Sequence, residues 1–313
     1  MTEVKKARHL LDWKYFTGDQ IREIYLLSRR IKNNRWVYQG YLSGQSVAML
    51  FQKTSTRTRV SFESGINELG GHGIYLDWNN TNFSLSEIAY EAKYLSRNTC
   101  AILARMKKHE DLEKMALNSD MPVINGCCDK YHPCQAMADM MTIMITAEET
   151  NLEVRPLQLT YVGVYNNVVN SLVSILKGFP VHLTLVCPEK DYVDEESLVL
   201  AQKNNQVTFE PDLKKAVIDA HFVYTDTWIN MEVFSDPELQ KKNQDKIDQM
   251  LPYQINGKIM EGSRAFIMHD MPIHTGYEIS ADMVDDPRSI IFNQAENRLD
   301  AQKAILLYLK DMR

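Results

Sequence analysis

Short apolar runs, several of them rich in β-branched residues, alternate along the chain with helix-like segments. They are Val47 to Phe51, Gly73 to Leu76, Ala101 to Ala104, Pro122 to Ile124, Leu159 to Val164, His182 to Val186, His221 to Tyr224 and Ala265 to Met268. That alternation predicts parallel strands joined by crossover helices, hence an α/β fold. A chain of 313 residues has room for two domains, each with its own core. The charged segment Glu148 to Pro156 follows the helical run Ala136 to Ile145 and is the best boundary. The reading is therefore a first domain over 1–148 and a second over 149–296, each a mainly parallel sheet flanked by helices. A last helix from about Asn297 to Lys310 carries Leu299, Ala301, Ala304, Ile305, Leu307, Tyr308 and Leu309, a pattern that packs against a domain.

The bulk composition narrows the function classes. With 44% apolar and 24% charged residues, and no apolar stretch near the roughly 20 residues of a membrane span, the expectation is a globular protein off the membrane. The net charge of −6 argues against nucleic-acid partners. No apolar signal core follows Met1 to Lys6, and the five cysteines are an odd number, so reduced thiols in the cytoplasm are expected. Cys127, Cys128, His132 and Cys134 lack a second pair at metal-ligand spacing, so no metal is expected.

Ser55-Thr56-Arg57-Thr58-Arg59 lies between the run Val47 to Phe51 and the helix-like stretch from Val60. The first helical turn has backbone N–H groups without internal acceptors and with partial positive charge, so it binds anions. Arginine forks match phosphate oxygens. Three further clusters follow strand ends, where α/β proteins place their sites. They are Arg105 with Lys107, Lys108 and His109; His132-Pro133-Cys134-Gln135; and His269-Asp270-Met271-Pro272. The second half opens with Tyr161-Val162-Gly163-Val164-Tyr165-Asn166-Asn167-Val168. It has the strand–turn–helix look of a dinucleotide fold but lacks two of the three fingerprint glycines, which gives nicotinamide little support.

In order and spacing, Ser55 to Arg59, Arg105, His132 to Gln135, Asn166-Asn167, Asp226-Thr227-Trp228 and Gln294-Ala295-Glu296-Asn297-Arg298 resemble the motifs of the aspartate/ornithine carbamoyltransferase family, most closely its ornithine branch. The resemblance spans nearly the whole chain. It implies a carbamoyl-phosphate domain to which the terminal helix, about 297–313, returns, and an amino-acid domain. It also implies a trimer with sites between subunits, and no cofactor. By resemblance Ser55, Thr56, Arg57 and Thr58 hold phosphate, Arg105 reaches phosphate and carbonyl, and His132 polarises that carbonyl. Gln135 accepts from the carbamoyl amino group, Arg298 and Met271 complete the donor site, and Asn167, Asp226, Asn230, Met231 and Asp270 face the amino acid. Arg59 belongs to the other face of the helix start and reads as structural.

The chemistry suits these residue types. An amine attacks the carbamoyl carbon, an oxyanion develops on the carbonyl oxygen and phosphate leaves, so charge stabilisation is the main need. An alkyl amine with a pKa of about 10 must first lose a proton, and the substrate phosphate is an available acceptor.

Departures gather on the acceptor side. The family's His-Cys-Leu-Pro is His269-Asp270-Met271-Pro272 here, which sets a carboxylate beside the amine to hold a cation, act as base, or stabilise the protonated nucleophile. Ser-Met-Gly becomes Asn230-Met231-Glu232, and Gly-Asp-Gly-Asn-Asn becomes Gly163-Val164-Tyr165-Asn166-Asn167. The loop lent to a neighbouring subunit reads Leu85-Ser86-Glu87 after Trp78 and Phe83, which read as packing residues. The expected activity is carbamoyl transfer to ornithine or an ornithine-like amino acid. The competing reading is a catalytically weak relative that binds carbamoyl phosphate or an amino acid as a sensor or regulatory subunit. The loss of cysteine at Asp270 supports it, and the intact phosphate side opposes it.

Overall fold

A computed structural model describes residues 8–229, 238, 241 and 243–311. Asn230, Met231 and Glu232 lie outside the described residues. The first half carries strands β1 (Ser46–Phe51), β2 (His72–Asp77), β3 (Ala101–Arg105) and β4 (Val123–Cys127). The second carries β5 (Leu157–Tyr165), β6 (Val181–Lys190), β7 (Val207–Phe209), β8 (Phe222–Thr225) and β9 (Phe266–His269). Both sheets are parallel throughout, in the orders β2-β1-β3-β4 and β7-β6-β5-β8-β9. Every strand expected from the sequence is present, most of them a residue or more longer. Strand β7 was not expected: it is short and only Val207 is buried, so its two exposed residues left no apolar run to read.

Each sheet reverses its strand order once. In the first, the chain moves from β1 outward to β2 and then returns past β1 to β3; in the second, it moves from β5 through β6 to β7 and returns past β5 to β8. At such a reversal the loops leaving two neighbouring strands diverge, which opens a crevice at the strands' carboxyl ends. The two crevices face one another, because Arg57, after β1, lies close enough to Asp226 and Asp270, after β8 and β9, to feel their charges.

The helix Pro133–Glu149 joins the halves. It is buried on nearly every side, as a helix apolar all round must be, and it packs against the helix Asn167–Ile175 and the C-terminal helix. Proline suits its first position because the missing N–H would have no helical acceptor there. Trp13 Nε1 donates to the Pro133 carbonyl at 2.9 Å and pins the start of this helix to the amino-terminal segment.

The C-terminal helix runs from Ile291 to Asp311, so it starts well before the expected Asn297. The reason is physical: its early buried positions include Gln294, Asn297 and Arg298, polar residues that an apolar count does not see. It packs on the helices Gly18–Asn33, Thr56–Glu68 and Pro133–Glu149. Lys303 bridges Glu68 at 2.6 Å and Asp300 at 2.8 Å, while Asp300 also meets Arg35 at 3.1 Å. Its apolar residues Ala301, Ala304, Ile305 and Leu309 are all buried in the main core. Truncating Ile305 to alanine should cost about 2–5 kcal/mol. Urea unfolding should register this as a lower midpoint, and an unchanged midpoint would contradict the packing described.

Candidate active site

Ser55 caps the helix Thr56–Glu68: its Oγ accepts from the Thr58 N–H at 3.2 Å. The N–H groups of Thr56 and Arg57, at the first two helical positions, have no acceptor within the helix. Thr58 is buried and its Oγ1 accepts from Arg298 Nη2 at 3.0 Å, which leaves its hydroxyl hydrogen to donate elsewhere. Arg59 turns away, bonds Glu63 at 3.2 Å and stacks 3.8 Å over the Tyr75 ring. Trp78 and Phe83 pack on each other at 5.4 Å.

Around this turn lie Arg57, Arg105 at the end of β3, His132 ahead of the helix Pro133–Glu149, and Arg298 from the C-terminal helix. Arg298 is buried, donates to Gln135 Oε1 through Nη1, and so joins two expected site residues directly. Gln135 Nε2 donates to Asp139 Oδ1 at 2.8 Å. Its carbonyl oxygen keeps a second lone pair for another donor. Burial together with the charges of Arg298, Arg105 and Arg57 holds the His132 imidazole well below the usual histidine range. His132 is therefore neutral at physiological pH and offers an N–H hydrogen-bond donor rather than a cation.

Several of these groups carry buried polar atoms without a hydrogen-bond partner: Arg105 Nε, His132 Nδ1, Arg298 Nε and Asp270 Oδ1. Each such atom costs about 1–3 kcal/mol if nothing meets it, so four in one place mark a surface built to meet a ligand.

The opposite wall is acidic. Asp226 follows β8; its Oδ2 accepts from Asn166 Nδ2 at 2.7 Å and its Oδ1 from the Thr227 N–H at 2.6 Å. Asn166 also caps the helix Asn167–Ile175 by accepting from the Val168 N–H at 3.0 Å. Asn167 reaches across to the first half, where its amide donates to the Cys128 carbonyl at 2.7 Å. Gly163 has φ +149°, a conformation costly for other residues, at the point where the β5–β6 register shifts.

Asp270 sits beside Asp226, and burial and Asp226 push its carboxyl well above the usual range. Its backbone is set by His269, whose Nδ1 accepts from the Met271 N–H at 2.8 Å and whose Nε2 donates to Glu278 Oε1 at 3.0 Å. Met271 adopts a left-handed φ of 63°. Among the described residues, Asp226, His269 and Asp270 alone form a group with ligand-type atoms within 4.8 Å of one another. Both ring nitrogens of His269 are engaged, so that group is a poor metal chelate.

The structure thus brings Ser55, Thr58, Arg57, Arg105, His132, Gln135 and Arg298 to one side of the cleft and Asp226 and Asp270 to the other, with Thr56 exposed at the helix start and Asn167 engaged across the halves. Asn166, His269, Glu278, Gln294 and Asp139 also build the site and were not among the expected site residues. Asn166, His269 and Gln294 stood inside quoted motifs. Glu278 and Asp139 carried no sequence signal, since nothing local marks a carboxylate that tertiary structure will bury.

One outcome follows for His132. Its lowered pKa means that the unfolded chain binds a proton below pH 6.5 that the folded chain does not, so this residue withdraws stability as pH falls through that range. Nitrogen-detected NMR should find the ring neutral and untitrated from pH 8 down to about 5.5; a normal titration curve would overturn the assignment.

Comparisons with known proteins agree across the whole chain. Residues 8–144 match the family model described as aspartate/ornithine carbamoyltransferase, carbamoyl-P binding domain. Residues 155–309 match the one described as aspartate/ornithine carbamoyltransferase, Asp/Orn binding domain. The ornithine carbamoyltransferase of Methanobrevibacter smithii is 37% identical over 93% of this chain and 95% of its own. That of Archaeoglobus fulgidus is 37% identical over 96% and 97%. The solved ornithine carbamoyltransferase of Pyrococcus furiosus superposes with a TM-score of 0.84 at 35% identity, covering 95% of each chain.

Proposed function

The chain belongs to the aspartate/ornithine carbamoyltransferase family, and on that premise we propose that it moves the carbamoyl group of carbamoyl phosphate to the amine of ornithine or an ornithine-like amino acid. The products are citrulline or a related ureido compound and phosphate. The observation that carries this reading is the convergence of Arg57, Arg105 and Arg298 on a neutral His132 beside a capped helix start. Three cations and unpaired backbone donors suit a dianionic phosphate, whereas a neutral imidazole suits a carbonyl oxygen.

In this reading Ser55, Thr56, Arg57 and Thr58 cradle the phosphate, and Arg105 spans phosphate and carbonyl. The His132 N–H donates to the carbonyl oxygen as negative charge develops there. Gln135 accepts from the carbamoyl amino group while Arg298 fixes its orientation, and the Met271 backbone borders the donor. The neutral amine attacks the carbamoyl carbon, the bond from that carbon to the phosphate oxygen breaks, and the amine proton passes to the departing phosphate. Asp226, Asp270 and Asn167 form the acceptor side, with Asn230 and Met231 assigned to it from the sequence. No covalent enzyme intermediate and no cofactor enter the scheme.

We assign the division between the carbamoyl-phosphate and amino-acid halves to the neighbourhood of residue 148, with the C-terminal helix grouped with the first half. We also propose a homotrimer acting in the cytoplasm. Trp36, Val37, Leu85, Tyr90 and Tyr94 are large and exposed at 84%, 65%, 85%, 70% and 64%, an amount of apolar surface that favours contact with a second copy. Among the described residues no helix is long and apolar enough to cross a membrane.

Incubation with carbamoyl phosphate and L-ornithine should release phosphate and a ureido product in equal amounts. Arg57→Ala should lower kcat/KM by about 10²–10³. Failure of ornithine and of its one- and two-carbon-shorter homologues to react would sink the proposed reaction. Light scattering should give a mass three times that of one chain, shifted toward monomer by Leu85→Glu. A monomeric wild type would remove the assembly proposal while leaving the chemistry untouched.

A further inference from the structure

His132 acts through its ring, yet Nδ1 of that ring is buried without a hydrogen-bond partner, so the aim of the ring depends on where the backbone starts it. That backbone ends the turn Cys128 to His132, which links β4 to the helix Pro133–Glu149. The His132 carbonyl accepts from the Gln135 and Ala136 N–H groups at 3.1 and 3.2 Å and so belongs to the helix start. Its N–H is held from the other half of the molecule, by Ser171 Oγ at 2.7 Å.

Ser171 is one of three residues of the helix Asn167–Ile175 that meet this turn. Positions three and four apart share a helix face, and 167, 170 and 171 are spaced in that way. Asn167 Nδ2 donates to the Cys128 carbonyl at 2.7 Å, and Asn170 Nδ2 to the Lys130 carbonyl at 3.0 Å. Asn170 is fully buried, and its amide also grips the amino-acid half: Nδ2 donates to the Tyr192 carbonyl at 2.9 Å and Oδ1 accepts from the Asp194 N–H at 2.8 Å. Tyr131 closes the arrangement by donating to Asp194 Oδ2 at 2.6 Å.

The direction of the Ser171 bond is fixed. Its hydroxyl hydrogen goes to the Asn167 carbonyl at 3.0 Å, one turn back along its own helix, which leaves the oxygen's lone pairs for the His132 N–H. Ser171 is 1% exposed, so water has no access to take its place. A buried N–H without an acceptor is costly, and a turn that loses this one shifts to find another.

We propose that Ser171 is a positioning residue for carbamoyl transfer: it holds the His132 backbone so that the ring N–H meets the carbonyl oxygen, while Asn170 keeps turn and helix in register. This rests on the carbamoyl-transfer reading and deepens it. The amino-acid half thereby aims a group that acts on the carbamoyl-phosphate side. A bond to a developing oxyanion is strongest in the transition state, so loss of aim lowers kcat and leaves KM nearly alone.

Ser171→Ala removes the acceptor, and Ser171→Cys keeps a similar shape with a weak one. Both should lower kcat for carbamoyl phosphate and L-ornithine by about 10–10²-fold, with KM for each substrate within about threefold of wild type. Ser174→Ala is the control. Ser174 lies on the same helix, where its Oγ donates to the Ser171 carbonyl at 3.1 Å, and its loss should leave kcat within about twofold of wild type. A second readout needs no turnover. Phosphonoacetamide, in which a methylene replaces the bridging oxygen of carbamoyl phosphate, presents the same carbonyl. Nitrogen-detected NMR should show the His132 ring signals shift when it binds to wild type and S174A, and that shift should be lost in S171A and S171C. Full kcat in S171A, an equal fall in S174A, or an undiminished His132 shift in S171A would each overturn the positioning role. A wild type that binds phosphonoacetamide but turns over neither ornithine nor its shorter homologues speaks against the carbamoyl-transfer reading, while the NMR shift still judges Ser171. No binding of phosphonoacetamide by the wild type overturns both.

Discussion

A buried chain of hydrogen bonds runs from the backbone of His269 through Gln294, Asp139 and Gln135 to Arg298 and Thr58, and both walls of the cleft are built against it. Gln294 Oε1 takes the His269 N–H at 2.9 Å, and its Nε2 gives to Asp139 Oδ1 at 2.7 Å. Tyr224 adds a third donor to Asp139 at 3.1 Å. Burial pushes that carboxyl up to about 7, while the three donors and the nearby Arg298 act in the other direction and favour its ionised form. Remove any member and a polar atom is left unpaired in a closed interior.

This chain explains why the C-terminal helix has to return across the molecule. It supplies Gln294 and Arg298 one turn apart on one helix face, and so fixes the end of β9 relative to the start of the helix Thr56–Glu68. The distance between the cationic wall and the acidic wall is thereby set by a helix rather than by loops. Arg57 lies where the two fields meet: burial lowers its pKa while Asp270 and Asp226 raise it. An arriving phosphate dianion adds the negative charge that a cluster of partly buried arginines lacks.

Much of the fold was legible because parallel strands announce themselves locally. A strand buried on both faces has to be apolar along its length, and all the apolar runs became strands. The same local signal failed at β7, which is mostly exposed, and at the first turns of the C-terminal helix, whose buried face is polar. The cationic wall was legible for a related reason: Ser55 to Arg59, Arg105 and His132 to Gln135 sit at strand ends, where topology confines chemistry. Asp139 and Glu278 were illegible, since their roles exist only through partners far away in the chain.

By itself the sequence determined the parallel α/β architecture and the anion-binding turn, because strand burial and helix-start chemistry are written over a few adjacent positions; that the anion is carbamoyl phosphate was implied by the resemblance of its motifs to a family. It placed Asp270 next to His269 but left its role open among cation holder, base and obstacle. The tertiary structure decided that Asp270 is buried against Asp226, beyond a hydrogen-bonding arginine, with its backbone fixed by the His269–Glu278 pair. The state of a carboxyl group depends on its surroundings in three dimensions, through desolvation and the nearest charges, and no local pattern of residues records those.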